Sequence, residues 1–127
     1  MGTKNARGPI VGTLDIPKPD AGDPLYALEK LAAVVWTLAS HPGNIRDRLW
    51  DAQRDLVVIS DRDIPKELRP MWLELKVDMR KLKPTGRGQT AFGATISRSR
   101  LKTCERFATR ILELHYRLQD YTNERYQ

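Results

Sequence analysis

Apolar residues recur at steps of three and four positions through most of this chain, which is the period of an amphipathic α-helix. Four such stretches predict helices at residues 23–40, 44–59, 70–82 and 97–122. The first two connections are short, which is typical of an antiparallel up-and-down four-helix bundle. No segment shows the two-residue period of a strand, so the predicted fold class is all-α.

Capping residues and prolines set the predicted helix boundaries. Asp23 followed by Pro24 is a favourable helix start, and residues 41–43, with sequence His-Pro-Gly, end the first helix. Pro70 is unfavourable inside a helix, so the third helix is predicted to begin there after a short turn at residues 65–69.

The predicted bundle domain spans residues 23–122, with a short segment on either side. Residues 1–22 contain four glycines and three prolines, a composition typical of a flexible tail. Its apolar alternation at residues 10–16 leaves open an extended arm that packs on the bundle or on a partner. Residues 123–127 are predicted to fray at the end of the last helix.

Basic charge is concentrated in one window of the sequence. Between Met79 and Cys104 the chain has seven basic residues and no acidic one, and the remainder is close to neutral although the net charge is +6. The seven are Arg80, Lys81, Lys83, Arg87, Arg98, Arg100 and Lys102. The window includes residues 83–96, a predicted loop that is longer than most connections in a bundle. Charge concentrated in this way indicates where a negatively charged partner docks.

The bundle topology predicts that these cations come together. If the third and fourth helices are antiparallel neighbours, the end of one lies beside the start of the other, and the seven residues form a basic cap. The helix dipole disfavours cations at a helix start, and a local rule broken without compensation often marks function. The predicted anion site adds the hydroxyls of Thr95, Ser97 and Ser99 to the seven cations.

Nucleic acid is the first predicted partner of this cap, and an acidic protein surface is the second. The competing interpretation is a solvated loop whose basic residues serve solubility. A structural subunit that docks on a larger assembly is a further alternative.

Arg110 and His115 have the spacing R-x4-H, which resembles the ribonuclease motif of the HEPN superfamily, whose members are all-α bundles of about this size. The resemblance implies that the histidine transfers a proton and the arginine stabilises phosphate charge. The alternative for the histidine is a structural role at the edge of an apolar helix face. We predict a binding module without enzymatic activity and keep the ribonuclease as the alternative.

No metal or cofactor is predicted. Cys104 and the two histidines are far apart and lack the spacing of zinc ligands. Asp47, Asp51 and Asp55 form a ladder on the second helix, but arginines interleave them and favour a salt-bridged surface. A single cysteine, with no signal segment and no apolar run long enough for a membrane span, predicts a cytoplasmic protein.

Trp36, Trp50 and Trp72 fall one on each of the first three predicted helices. All three are predicted to be core residues, with Trp36 or Trp50 as a candidate interface anchor. The first helix is apolar over a wide sector, which predicts either a central place in the core or self-association through this helix.

Overall fold

The computed structural model describes residues 22–126, which form five α-helices and a 3₁₀ turn, with no strand in that range. The elements are α1 Pro24–Ser40, α2 Ile45–Val57, the 3₁₀ turn Asp61–Asp63, α3 Arg69–Met79, α4 Ala91–Arg98 and α5 Leu101–Arg125. The all-α prediction is confirmed. The predicted tail lies outside the described residues except for Gly22, and so does Gln127.

The structure corrects the prediction of a long loop at residues 83–96, because α4 begins inside it. Thr90 caps this eight-residue helix, and its Oγ1 accepts a hydrogen bond from the backbone N–H of Gly93 at 2.9 Å. Phe92 and Ile96 lie four positions apart and are both buried in the core. A helix this short, with a glycine inside it, gives only a weak periodic signal, so the sequence pattern did not identify it.

The chain also breaks where the sequence predicts one continuous helix at residues 97–122. Ser99 and Arg100 are extended, with ψ angles of 149° and 156°. In a continuous helix the Ser99 carbonyl would accept a hydrogen bond from the N–H of Thr103. It accepts instead from Arg46 of α2, whose Nε and Nη2 donate at 3.1 and 2.8 Å. Arg46 therefore holds the break between α4 and α5 against α2.

One cluster of buried apolar residues connects the helices. α1 packs against α2 and α5, α2 also packs against α4 and α5, and α3 packs against α4 and α5. The largest fully buried side chains are Trp72, Leu31, Leu49, Leu56, Ile64, Leu75, Met79, Ile96, Ile111, Leu114, Leu118 and Val34. Because α4 touches both α2 and α3, it brings the segment after α3 close to the start of α5.

Two acids of the 3₁₀ turn, Asp61 and Asp63, fix the connection between α2 and α3, and we call them the acidic corner. Asp63 is buried and accepts hydrogen bonds from the backbone N–H of Asp23 at 3.0 Å and of Ser60 at 3.2 Å. Asp61 accepts from the indole N–H of Trp72 at 2.8 Å. The start of α1 and the start of α3 are therefore joined through this turn.

Candidate anion-binding site

The seven basic side chains predicted to form a cap all lie at the surface. The basic cap consists of Arg80, Lys81, Lys83, Arg87, Arg98, Arg100 and Lys102. None of them forms an ion pair with an acidic residue within residues 22–126. Their positive charge is therefore not neutralised by the part of the chain that the structure describes.

Two hydrogen bonds join the segment after α3 to α4. The backbone N–H of Leu82 donates to Oγ1 of Thr95 at 3.0 Å, and the guanidinium of Arg98 donates to the carbonyl of Lys83. Lys83 and Arg98 are 15 positions apart in the sequence. The fold thus brings the guanidinium of Arg98 against the backbone of Lys83, near the other end of the basic window.

The three hydroxyls predicted to complete the anion site are used differently. Thr95 is 3% exposed, and its Oγ1 both accepts from the N–H of Leu82 and donates to a carbonyl of α4. Its hydroxyl therefore forms hydrogen bonds inside the protein. Ser97 and Ser99 likewise donate to α4 carbonyls, at 3.2 and 2.6 Å. Because all three hydroxyl protons are donated to carbonyls of α4, the cations rather than the hydroxyls are the groups that this surface offers to an anion.

α5 begins without a side-chain cap. The side chains of Asp23, Asn44 and Thr90 accept hydrogen bonds from the first turns of α1, α2 and α4, but Arg100 at the start of α5 accepts none. The first turn of α5 also holds no acid and contains Lys102. Its backbone N–H groups and the positive end of its dipole add to the cationic field of the basic cap.

Arg46 lies beside the basic cap although it is remote from it in sequence. Its hydrogen bonds to the carbonyl of Ser99 place its guanidinium next to the start of α5. Burial raises the pKa of the Cys104 thiol, and the nearby charge of Arg46 offsets part of that effect. No signal in the sequence connects Arg46 to this site, because 53 positions separate it from Ser99.

Arg110 and His115, the pair that resembles the HEPN motif, do not share one helix face. Five positions along an α-helix correspond to a rotation of about 140°. Arg110 donates to Oδ2 of Asp78 at 2.8 Å and so forms an ion pair between α5 and α3. His115 is half-buried against Tyr116, and burial lowers its pKa. Its Nδ1 has no hydrogen-bond partner among the described residues.

A cleft of about 530 Å³ opens between α2 and residues 83–90, which we call the basic loop. Its lining includes His41, Trp50, Asp51, Arg54, Gly88 and Thr90. His41 Nδ1 lies 3.1 Å from Oδ2 of Asp51. Thr90 donates to Oε1 of Gln53 at 2.9 Å and so ties the end of the loop to α2.

The prediction that all three tryptophans are core residues holds only for Trp72. Trp36 on α1 is 71% exposed and Trp50 on α2 is 45% exposed. Leu25 adds a second exposed apolar side chain on α1. Self-association through α1 stays a prediction, with Trp36 as the residue that would anchor it.

Comparison of the chain with protein-family models, with curated proteins and with solved structures finds no match. Within residues 22–126 no helix is long and apolar enough to cross a membrane, and no three His, Cys, Asp or Glu side chains are grouped to hold a metal ion. The function must therefore be argued from the surface of this chain.

Proposed function

We propose that this protein is a binding module that engages a polyanion, foremost the phosphate backbone of a nucleic acid, through the basic cap. One observation carries the proposal. Seven exposed cations lie at the ends of α3 and α4, at the start of α5 and in the segment between α3 and α4, and none is paired with an acid of the described residues. A phosphate backbone presents closely spaced negative charges and releases its condensed counterions when cations replace them.

The members of the cap differ in their freedom to contact a ligand. Arg98 is held by bonds to the carbonyls of Lys83 and Ala94, so it fixes the shape of the surface. Arg100 and Lys102 are exposed, and their side chains make no hydrogen bond within residues 22–126. These two residues, together with the free N–H groups of α5, are the ones we assign to phosphate contact.

The double variant R100D/K102E tests the proposal. Aspartate at a helix start and glutamate in the first turn suit the dipole of α5, so the variant is expected to stay folded. Fluorescence anisotropy with labelled RNA and DNA gives the affinity across a salt series. We expect binding to weaken at least ~10-fold at about 50 mM salt, and the slope of log K against log salt to fall by about two.

The matched control is K30E/K66E, which makes the same change in net charge outside the basic cap. The parent and this control should bind alike to within about threefold. Equal losses in the two variants would mean that only total charge matters. A parent that binds neither RNA nor DNA at about 50 mM salt would overturn nucleic acid as the partner and leave an acidic protein surface as the remaining one.

The same samples examine the ribonuclease alternative. A HEPN-like enzyme would cleave the RNA, and H115A would stop cleavage while leaving the fold intact. We expect the RNA to stay intact, because the guanidinium of Arg110 is engaged in an ion pair with Asp78 and is not free to stabilise phosphate charge.

A further inference from the structure

We infer that the cleft between α2 and the basic loop receives a base of a single-stranded nucleic acid, stacked on the indole of Trp50. The inference rests on the proposed function and narrows it to single strands. It starts from a juxtaposition that only the fold creates, since Trp50 lies more than 30 positions before the basic loop yet lines the same cleft as Gly88 and Thr90.

The indole of Trp50 is exposed and yet held in place. It is 45% exposed, and α4 lies close against its edge, because a Cβ added to Gly93 would be 3.1 Å from Cζ3 of the ring. Glycine at this position allows the close approach of α4. An aromatic platform positioned before the ligand arrives loses little side-chain entropy on binding.

Phe92 is the only aromatic residue inside the basic window, and it is not available for stacking. It is 6% exposed, and the guanidinium of Arg80 lies 5.9 Å from its ring centroid. Trp50 therefore supplies the exposed aromatic surface that the basic window itself lacks. Base stacking on such a ring depends little on base identity, because every base has a flat aromatic face.

Cations stand beside the platform to hold the phosphates. Arg54 lines the cleft, is exposed and makes no ion pair or hydrogen bond within the described range. Arg87 precedes Gly88 on the basic loop, and a Cβ added at Gly86 or Gly88 would meet no atom within 4 Å, so the backbone there is open to a ligand. A strand that leaves the cleft along the loop would continue toward the basic cap.

The chemistry and the size of the cleft agree with a nucleotide. His41 and Asp51 offer polar atoms to the edge of a base, and the volume of about 530 Å³ is that of a small-ligand site. A base paired inside a duplex is covered on both faces by its neighbours, so it cannot stack on Trp50. The cleft therefore favours a strand with unstacked bases.

The test compares W50A with Y116A on two probes, a 15-nucleotide oligothymidylate and a 15-base-pair duplex. We expect W50A to bind the single strand roughly 5- to 100-fold more weakly, since stacking on one aromatic residue contributes about that much. Duplex binding should stay within about twofold, because the basic cap alone provides it. Y116A removes a more exposed aromatic side chain outside the cleft and should change neither affinity.

Tryptophan emission gives a second readout that does not depend on the fold of W50A. In W36F the remaining emitters are Trp50 and Trp72, and Trp72 is 1% exposed. Oligothymidylate should therefore quench the emission of W36F by stacking on Trp50, and it should not quench W36F/W50F. W50F keeps an aromatic ring and is expected to retain most of the affinity for the single strand.

The outcomes separate this inference from the proposed function. If the parent binds neither probe, the proposed function fails and the inference fails with it. If the parent binds and W50A changes neither affinity, or weakens both probes alike, the basic cap remains the site and the stacking inference is overturned. If thymidine monophosphate binds as tightly as the oligonucleotide, the cleft is a small-molecule site, and the inference that it binds a nucleic-acid strand is overturned.

Discussion

The acidic corner and the basic cap lie before and after α3 in the chain, and they use charge in opposite ways. Each acid of the corner accepts at least two hydrogen bonds from the protein, Asp63 from backbone N–H groups and Asp61 from Trp72 and Lys76. The cations of the cap form no ion pair with any acid in residues 22–126. A charged group that forms hydrogen bonds within the protein stabilises the fold. Removal of a charged group without such bonds changes the free energy of unfolding little, and that group is available to a partner.

Asp63 should show the largest effect on stability. D63A removes a buried carboxylate that accepts from the N–H groups of Asp23 and Ser60, so we expect a loss of about 2 kcal/mol in the free energy of unfolding. Urea denaturation measures it. D120A removes an exposed acid of α5 and should cost less than about 0.5 kcal/mol. Equal losses in the two variants would show that the corner is not structural.

Arg46 lies at the basic end, but its guanidinium, like that of Arg98, donates hydrogen bonds to backbone carbonyls. R46A removes two charge-assisted hydrogen bonds to the carbonyl of Ser99, and we expect a loss of about 1.5 kcal/mol from urea denaturation. R46K keeps the charge but cannot present two parallel donors, so it should recover less than half of that loss. A fully stable R46K would mean that charge alone holds the break before α5.

The sequence predicted the helices that begin with strong caps and carry long apolar stripes. α1 and α2 begin within one residue of their predicted starts, because Asp23 and Asn44 are good caps. Pro70 placed the start of α3 to within one residue. The pattern missed α4, whose stability comes from packing against α2 and α3 rather than from its own length.

The candidate site was predicted in part, for a physical reason. The seven cations lie in one window of the sequence that has no acidic residue, so a count of charges along the chain finds them. The structure places all seven at the surface. Arg46 and Trp50 join the region only through the packing of α2 against α4, and no local signal records that contact. Thr95 has the right chemistry for an anion site, but its place on the buried side of α4 directs its hydroxyl inward.

Asp61 should show a smaller effect that depends on pH. Burial alone would raise the pKa of this carboxyl, but hydrogen bonds from Lys76 and Trp72 outweigh it and lower the pKa from 3.8. The stabilisation is therefore complete above pH 3.8 and is lost as the pH falls through the lower folded-state pKa. D61N keeps the acceptor for Trp72, so at pH 7 it should cost less than about 1 kcal/mol, because the pair is partly exposed.

Urea midpoints of parent and D61N measured at pH 7 and at acidic pH provide the measurement. The difference between the two proteins should shrink as the pH falls below 3.8, because the parent then loses the charge that D61N never had. D120N is the matched control, since its exposed carboxylate has no partner among the described residues. A difference that is independent of pH would assign the role of Asp61 to shape rather than to charge.

The smallest effect is expected at the basic cap, and it has the opposite sign. K102E exchanges a cation for an acid in the first turn of α5, where no acid is present and where Arg100 provides no cap. The helix dipole favours the acid, so the free energy of unfolding should rise by roughly 0.3–1 kcal/mol at low salt, and the gain should shrink as salt screens it. Urea denaturation at low and high salt measures both.

A loss of stability would show that Lys102 makes a structural contact, and the cap would then resemble the acidic corner. A gain that accompanies weaker binding of nucleic acid would mean that the chain keeps a less stable helix start in order to hold an anion there.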